Sequence, residues 1–488
     1  MEKYFDAFRK NIVGIDASFT SPYGEKPLIY ADWIASGRLY KSIEEKLSQD
    51  IGVFVGNTHT ETSETGTLMT RAYHYAHELI KEHVNADKDD VLITVGFGMT
   101  ACVNKLQRIL GLKTCGKLMK RHCLKEIEKP IVFVTHMEHH SNQTSWYETI
   151  ADVVVLKPDA DNLVDLKELE LQLQKYKDRP IKIGSFTACS NVTGIQTPYY
   201  EMAKLMHQYG GLCFVDFAAS APYVDMDMHP KDPLMKLDAI MFSPHKFLGG
   251  PGSSGVLIFD KQLYNSAVPD NPGGGTVDWT NPWGEYKYID DIELREDGGT
   301  PGFMLAMKTA LCIKLKNQMQ TANIIKREHE LIDIAFNGLK KINKLHILAE
   351  EHKNRLGIIS FYMEGIHYNL IVKLLNDRYG IQVRGGCACA GTYGHYLLDV
   401  SREYSREITA LINQGDLSQK PGWVRLSLHP TMKNSELYNI IKALEEIAVN
   451  IKAWEVDYRY NKYTNEYQHI KEINKEKIYR SWFELKNN

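Results

Sequence analysis

The sequence lacks any run of 18 or more apolar residues, so nothing in it reads as a membrane-spanning helix. It also lacks a dominant charge. Its 58 Lys and Arg stand against 61 Asp and Glu, a formal net charge of −3, which gives no electrostatic case for nucleic acid or an anionic membrane. There is no internal repeat and no low-complexity linker. Cysteine is sparse and scattered: eight in 488 residues, at 102, 115, 123, 189, 213, 312, 387 and 389. That is the usage of a reducing compartment, not of a disulfide framework. The opening "MEKYFDAFRKNIVG" carries no signal-peptide core, and a cytoplasmic location is expected.

What is present is a chain 43% hydrophobic, long enough for two or three domains. From about residue 90, apolar β-branched runs such as "DVLITV", "IVFVTH", "DVVVL", "IKIGSF", "LCFVD", "LDAIMF" and "GVLIFD" alternate with helical spacings. Near-continuous hydrophobic strands between amphipathic helices predict an α/β fold, a mostly parallel seven-stranded sheet covered on both faces. Ligands bind beyond the carboxyl ends of such strands. After residue 300 the pattern predicts a smaller α+β domain. The expected division is an arm over 1–40, a large domain over 41–300, and a small domain with a cysteine loop and tail over 301–488. The segment "TCGKLMKRHCLKEIEKP" and the last thirty or so residues read as surface additions, the tail as a solvated charged helix.

The predicted strand ends carry the chemistry. Gly96–Phe97–Gly98–Met99–Thr100 joins a strand to a helix, where free N–H groups and the dipole suit a phosphate. His139 and His140 end the next strand; adjacent side chains diverge and no third ligand lies at a useful spacing, so no metal is expected. Asn191 ends another strand, within "CSNVTG". Asp216 ends an otherwise apolar strand, a costly place for a carboxylate unless a cation meets it. Lys246 follows thirty residues later, between a histidine and small residues. Desolvation makes such an amine a usable nucleophile. A Schiff-base lysine, an aspartate for a pyridinium nitrogen and a phosphate cradle together describe a site for pyridoxal 5′-phosphate (PLP).

The pieces "MEHHSN", "SNVTG", "VDFAA", "SPHK", "GGTP" and "VRGGCACA" make the comparison specific. The chain resembles the class V branch of fold-type I PLP enzymes, and most of all the cysteine desulfurase and selenocysteine lyase group. The likeness runs from "YADWIASG" to about residue 452. It implies that Lys246 carries the cofactor and shuttles protons, Asp216 holds the ring nitrogen, His139 stacks on the ring and Asn191 lies by its hydroxyl. Thr100, Ser243 and His245 would bind the phosphate, with the backbone around Gly98 and Met99. Arg425, with Arg384 and Asn191 beside it, would take the substrate carboxylate; an internal ion pair to an unknown carboxylate is the other reading of Arg425. Cys389 falls at the nucleophile's position, and Cys387 is either an accessory thiol or a small loop residue. A homodimer is implied, in which Thr276 touches the partner's phosphate. The implied reaction removes sulfur or selenium from cysteine or selenocysteine, gives alanine, and passes the sulfur to an acceptor protein.

The sequence departs from the group's pattern at several points. Ala219 stands where a glutamine is usual, and Met99 replaces a small hydroxyl residue. Long stretches follow Cys389 ("GTYGHYLLDVSREYSREITALINQGDL") and Thr276 ("WTNPWGEYKYIDDIELRE"). Two other readings stay open: another class V reaction (C–S β-lyase, aminotransferase or epimerase) with Cys389 a bystander, or a silent scaffold for sulfur transfer. Lys246, Asp216, His139 and Arg425 together speak against the scaffold, which needs none of them.

Overall fold

Seven hydrophobic runs form one sheet: β1 (Asp90–Val95), β2 (Ile131–Val134), β3 (Asp152–Val155), β4 (Lys182–Thr187), β5 (Leu212–Asp216), β6 (Ala239–Phe242) and β7 (Gly255–Asp260). This computed structural model describes residues 1–113, 125–471 and 473–485. The strands pair in the order β1-β7-β6-β5-β4-β2-β3. β2 to β6 pair in parallel, and β7 is antiparallel to β1 and β6. Both faces are buried, as the lack of polar alternation requires. Phe133, Cys213, Val215 and Ile240 point to one core, and Val132, Phe214, Ala239 and Met241 to the other. Helices α1 (Gly98–Ile109) and α2 (His140–Tyr147) cover the second face with Cys102, Val103, Leu106 and Trp146. Helices α3 (Leu166–Lys175) and α4 (Tyr199–Gln208) cover the first with Leu169, Leu173, Met202 and Met206.

A short hairpin of β8 (Val277–Thr280) and β9 (Tyr286–Tyr288) follows, with Trp279, Trp283 and Tyr286 exposed. Helices α5 (Phe303–Met319) and α6 (Thr321–Leu339) then lead to an antiparallel sheet of β10 (Leu345–Ile347), β11 (Ile358–Met363), β12 (Arg384–Gly386) and β13 (Trp423–Ser427), in the order β10-β11-β13-β12. The arm joins this second sheet region. Ile29–Tyr30 pair in parallel with Ile381–Gln382, and Asp32 bridges to Ser427. The stretch after Cys389 folds as two helices, α7 (Gly391–Leu397) and α8 (Arg402–Asn413). Helix α9 (Asn434–Trp454) packs its apolar stripe on the same core as α6. Among the described residues no helix is long and apolar enough to cross a membrane.

The tail corrects the sequence expectation. It is not one solvated helix but a hairpin, β14 (Tyr458–Asn461) and β15 (Glu466–His469), followed by a single helical turn and a half at Glu476–Ser481. "YRYN" and "EYQH" alternate with period 2, which puts Tyr458 opposite His469 and Tyr460 opposite Tyr467. Tyr458 and His469 are buried, and the Tyr460 and Tyr467 rings lie 4.8 Å apart. The segment before β2 lies outside the described residues from 114 to 124, with Cys115 and Cys123.

The turn after β6 is gripped between two backbone strands, and glycine makes this possible. A Cβ on Gly37 would sit 1.9 Å from the Phe247 carbonyl oxygen, and one on Gly250 1.9 Å from that of Pro244. Gly37→Ala or Gly250→Ala should therefore lower stability by about 1–3 kcal/mol, read by denaturant unfolding. Wild-type stability in both variants would show that the turn can move freely.

Candidate active site

The carboxyl ends of the parallel strands open on a cavity of about 200 Å³. Gly98, Met99, Thr100, His139, Asn191 and Asp216 line it from the large sheet, joined by Ser243, His245 and Lys246 after β6. Arg384, Cys389 and Arg425 close it from the smaller domain. Thr276 is not among the lining residues; its hydroxyl donates to the Gly273 carbonyl 2.7 Å away.

Asp216 ends β5 and Lys246 closes the short turn Pro244–Lys246 that follows the adjacent parallel strand β6, so both enter the crevice. Desolvation pushes Asp216 up to about 6, opposed by a hydrogen bond from the Ala218 N–H and by the Lys246 charge. Desolvation likewise pushes the Lys246 amine down to about 8, with the Asp216 carboxylate opposing. His139 is held neutral: desolvation first, then the Lys246 charge, lowers it to about 3. Behind it Glu138 is fully buried and accepts from Thr135 Oγ1 (2.7 Å), Thr187 N (2.9 Å) and Asn142 Nδ2 (2.8 Å). It pins the end of β4 to the start of α2.

At the other end α1 points its N-terminus into the cavity. The Met99 N–H donates to Ser243 Oγ (2.9 Å), and the Thr100 hydroxyl meets Ser141 Oγ at 2.7 Å. Gly98 has φ +66°, and a Cβ there would lie 2.8 Å from His245 Cε1. Only glycine lets the backbone come this close to a ligand.

Arg384 and Arg425 are cross-strand partners on β12 and β13. Like charges directly opposite repel. The Asp32 carboxylate relieves this by accepting from Arg425 Nη2 (2.9 Å) and pairing with Arg384 Nε (3.3 Å). The carboxylate left open in the ion-pair reading is thus Asp32. One carboxylate against two guanidiniums leaves one positive charge beside the cavity. Arg425 Nε and Asn191 Oδ1 are buried without a hydrogen-bond partner. Such orphans are costly unless a ligand meets them. Together with the glycine-lined phosphate end and an amine of lowered basicity, they fit PLP and an anionic substrate.

Cys389 is exposed on a tight turn closed by Ala390 N to Cys387 O (3.0 Å), with Ala388 at φ 48° and Cys389 at φ 58°. The left-handed backbone is uncommon outside glycine. Three clamps hold it: His140 N to Cys389 O (2.7 Å), Gly391 N to His140 Nε2 (2.9 Å) and Asn191 Nδ2 to Ala388 O (2.6 Å). The sequence reading passed over Asp32, Glu138 and the clamp by His140. A carboxylate inside the apolar run "LIYADWIA" was the available signal for Asp32. His140 acts on a loop some 250 positions away, and Glu138 joins its near neighbours Thr135 and Asn142 to the distant Thr187, which no local pattern marks.

The profile of the family described as aminotransferase class-V matches residues 29–440. A protein of Halalkalibacterium halodurans named "Probable cysteine desulfurase" is 27% identical over 372 residues, 75% of this chain and 84% of that protein. Among solved structures, the apo cysteine desulfurase of Thermococcus onnurineus NA1 is similar with a TM-score of 0.72 at 20% identity, covering 91% of this chain and 98% of the other. The cysteine desulfurase CsdA of Escherichia coli is similar with a TM-score of 0.70 at 22% identity, covering 92% and 98%. These likenesses carry the expected fold, a large α/β domain with a mostly parallel sheet.

The low basicity of Lys246 has a kinetic signature. Only the neutral amine attacks an aldehyde; at pH 7 its fraction is about 10% for a pKa near 8, against about 0.03% for an unperturbed lysine. The rate at which apo-protein takes up PLP should rise with pH and level off above about 8, with borohydride fixing the label on Lys246. A rate still climbing at pH 10, or label on another lysine, would contradict the assignment.

Proposed function

The chain belongs to the aminotransferase class-V family, and from that premise we propose that it is a PLP-dependent cysteine desulfurase or selenocysteine lyase. The observation that carries this reading is a single one: the exposed thiol of Cys389 shares its cavity with Lys246 and Arg425. A transaminase or epimerase has no use for a clamped thiol there.

Lys246 would hold the cofactor covalently, Asp216 would keep its ring nitrogen protonated, neutral His139 would stack on the ring and Asn191 would bond its hydroxyl. Thr100, Ser243, His245 and the backbone of Gly98 and Met99 would hold its phosphate. When bound, PLP supplies an electron sink for the substrate's α-carbon. The protein's own groups do the rest. Arg425, steadied by Asp32 and Arg384, grips the substrate carboxylate in two-point fashion. Lys246 Nζ takes the α-proton and returns it. The Cys389 thiolate attacks the substrate sulfur; the new S–S bond forms as the C–S bond breaks, its electron pair staying on carbon, which is then protonated. Alanine leaves, and Cys389 keeps the sulfur as a persulfide.

The rest of the reading concerns assembly. The protein acts in the cytoplasm as a homodimer; Thr276, expected to reach the partner's phosphate, is fully buried in its own chain with its hydroxyl on the Gly273 carbonyl, so that contact is not part of the proposal. A sulfur-acceptor protein then takes the sulfur. Sedimentation of the active protein as a monomer would refute the dimer.

Two substitutions test the chemistry. Arg425→Lys keeps the charge but loses the planar fork, and kcat/KM should fall about 30- to 1000-fold, roughly 2–4 kcal/mol. An unchanged kcat/KM would leave Arg425 a purely structural partner of Asp32. Cys389→Ser should abolish alanine production from cysteine while PLP absorbance persists, with selenocysteine less affected because selenium leaves more readily. Full turnover in that variant would favour a β-lyase or aminotransferase.

A further inference from the structure

The two cysteines of "CAC" line different cavities. Cys389 faces the one that holds Lys246 and Arg425. Cys387 lines a second cavity of about 150 Å³ beneath α7 and α8, with His395, Leu398, Ile408, Pro421 and Trp423. A wider groove shares Gly391, His395 and Ser405 with this cavity and reaches the exposed Tyr396 and Arg402. The inserted stretch therefore builds a second chamber in which, among the described residues, Cys387 supplies the only thiol.

We propose that Cys387 is the second station of a sulfur relay, receiving the terminal sulfur from Cys389 and holding it in the chamber under the inserted helices. The proposal rests on the reading of Cys389 as first acceptor. The turn makes the transfer short. Cys387 is the first residue of that turn and Cys389 the third, so one residue separates them in a loop whose ends lie within about 7 Å at Cα. A persulfide adds one S–S bond of about 2 Å to the reach of Cys389, whose side chain is exposed. The backbone is not free: two non-glycine residues sit in the left-handed region, held there by His140 and Asn191. That conformation turns one thiol to the cofactor cavity and its neighbour to the chamber.

The step balances without an oxidant or reductant. The Cys387 thiolate attacks the terminal sulfur of the Cys389 persulfide. A new S–S bond forms on Cys387, the old one breaks, and its electron pair stays on Cys389 Sγ, which takes up the proton Cys387 gave up. Such exchange is ordinary thiol chemistry. Cys389 is thereby ready for another substrate while the sulfur waits in a chamber walled by Leu398, Ile408 and Trp423.

The test uses the PLP-loaded protein, one equivalent of L-cysteine with labelled sulfur, and alkylation at successive times. Fragmentation of the peptide that holds both thiols then locates the label. In the wild type the label should appear on residue 389 and move to residue 387. In Cys387→Ser it should stay on Cys389, with one alanine formed per chain and a slower release of sulfur to added dithiothreitol. A Cys387→Ala variant that behaves the same way excludes an effect of the serine hydroxyl. Label that forms on Cys389 but never reaches Cys387, with dithiothreitol release equal in wild type and variants, overturns the relay and leaves the desulfurase reading standing. Alanine formed with label on neither thiol, or at full rate in Cys389→Ser, overturns the desulfurase reading and the relay with it.

Discussion

A carboxylate held between two guanidiniums is the interaction on which the site depends. Asp32 comes from the arm, Arg384 from β12 and Arg425 from β13, three segments far apart in the chain. Without Asp32 the two arginines would face each other across adjacent strands, one of them almost completely buried. With it, the arm is tied to the smaller domain and Arg425 is aimed at the cavity. The arrangement is not neutral. The charge left over lies beside the cavity, where Arg425 Nε is buried without a hydrogen-bond partner.

Desolvation does the electronic tuning. The parallel sheet is buried on both faces, so groups at its carboxyl ends lie in a low-dielectric crevice that disfavours charge. The same burial raises Asp216, lowers Lys246 and keeps His139 neutral. Asp216 and Lys246 restrain one another: each opposes part of the other's shift. An acid raised toward neutral pH thus shares the crevice with an amine that is partly neutral there.

The loop that carries Cys389 belongs to the smaller domain, yet large-domain groups hold it. His140 uses both its backbone N–H and its ring nitrogen, and Asn191 divides its amide between the loop and the cavity. These contacts offset a left-handed backbone that two non-glycine residues would otherwise avoid. Helices α7 and α8 then cover the far side of the loop, which separates the two thiols' surroundings. The insertion is thus part of the site's construction.

Periodicity made the large sheet legible, because strands buried on both faces read as unbroken apolar runs and their ends as the places where polar residues begin. Lys246, Asp216, His139, Asn191 and the Gly98 turn were all visible that way, since each interrupts an apolar run at a strand end. The tail was misread because mixed charge hid the period-2 tyrosines of β14 and β15, whose burial depends on the surface they meet. Asp32 as the partner of Arg425, His140 as a clamp and the separate cavity of Cys387 were decided only by the tertiary structure. Asp32 and Arg425, and His140 and Cys389, lie hundreds of positions apart, and the Cys387 cavity depends on how α7 and α8 fold back over the loop; both are set by how sheets and helices pack, which local spacing does not encode.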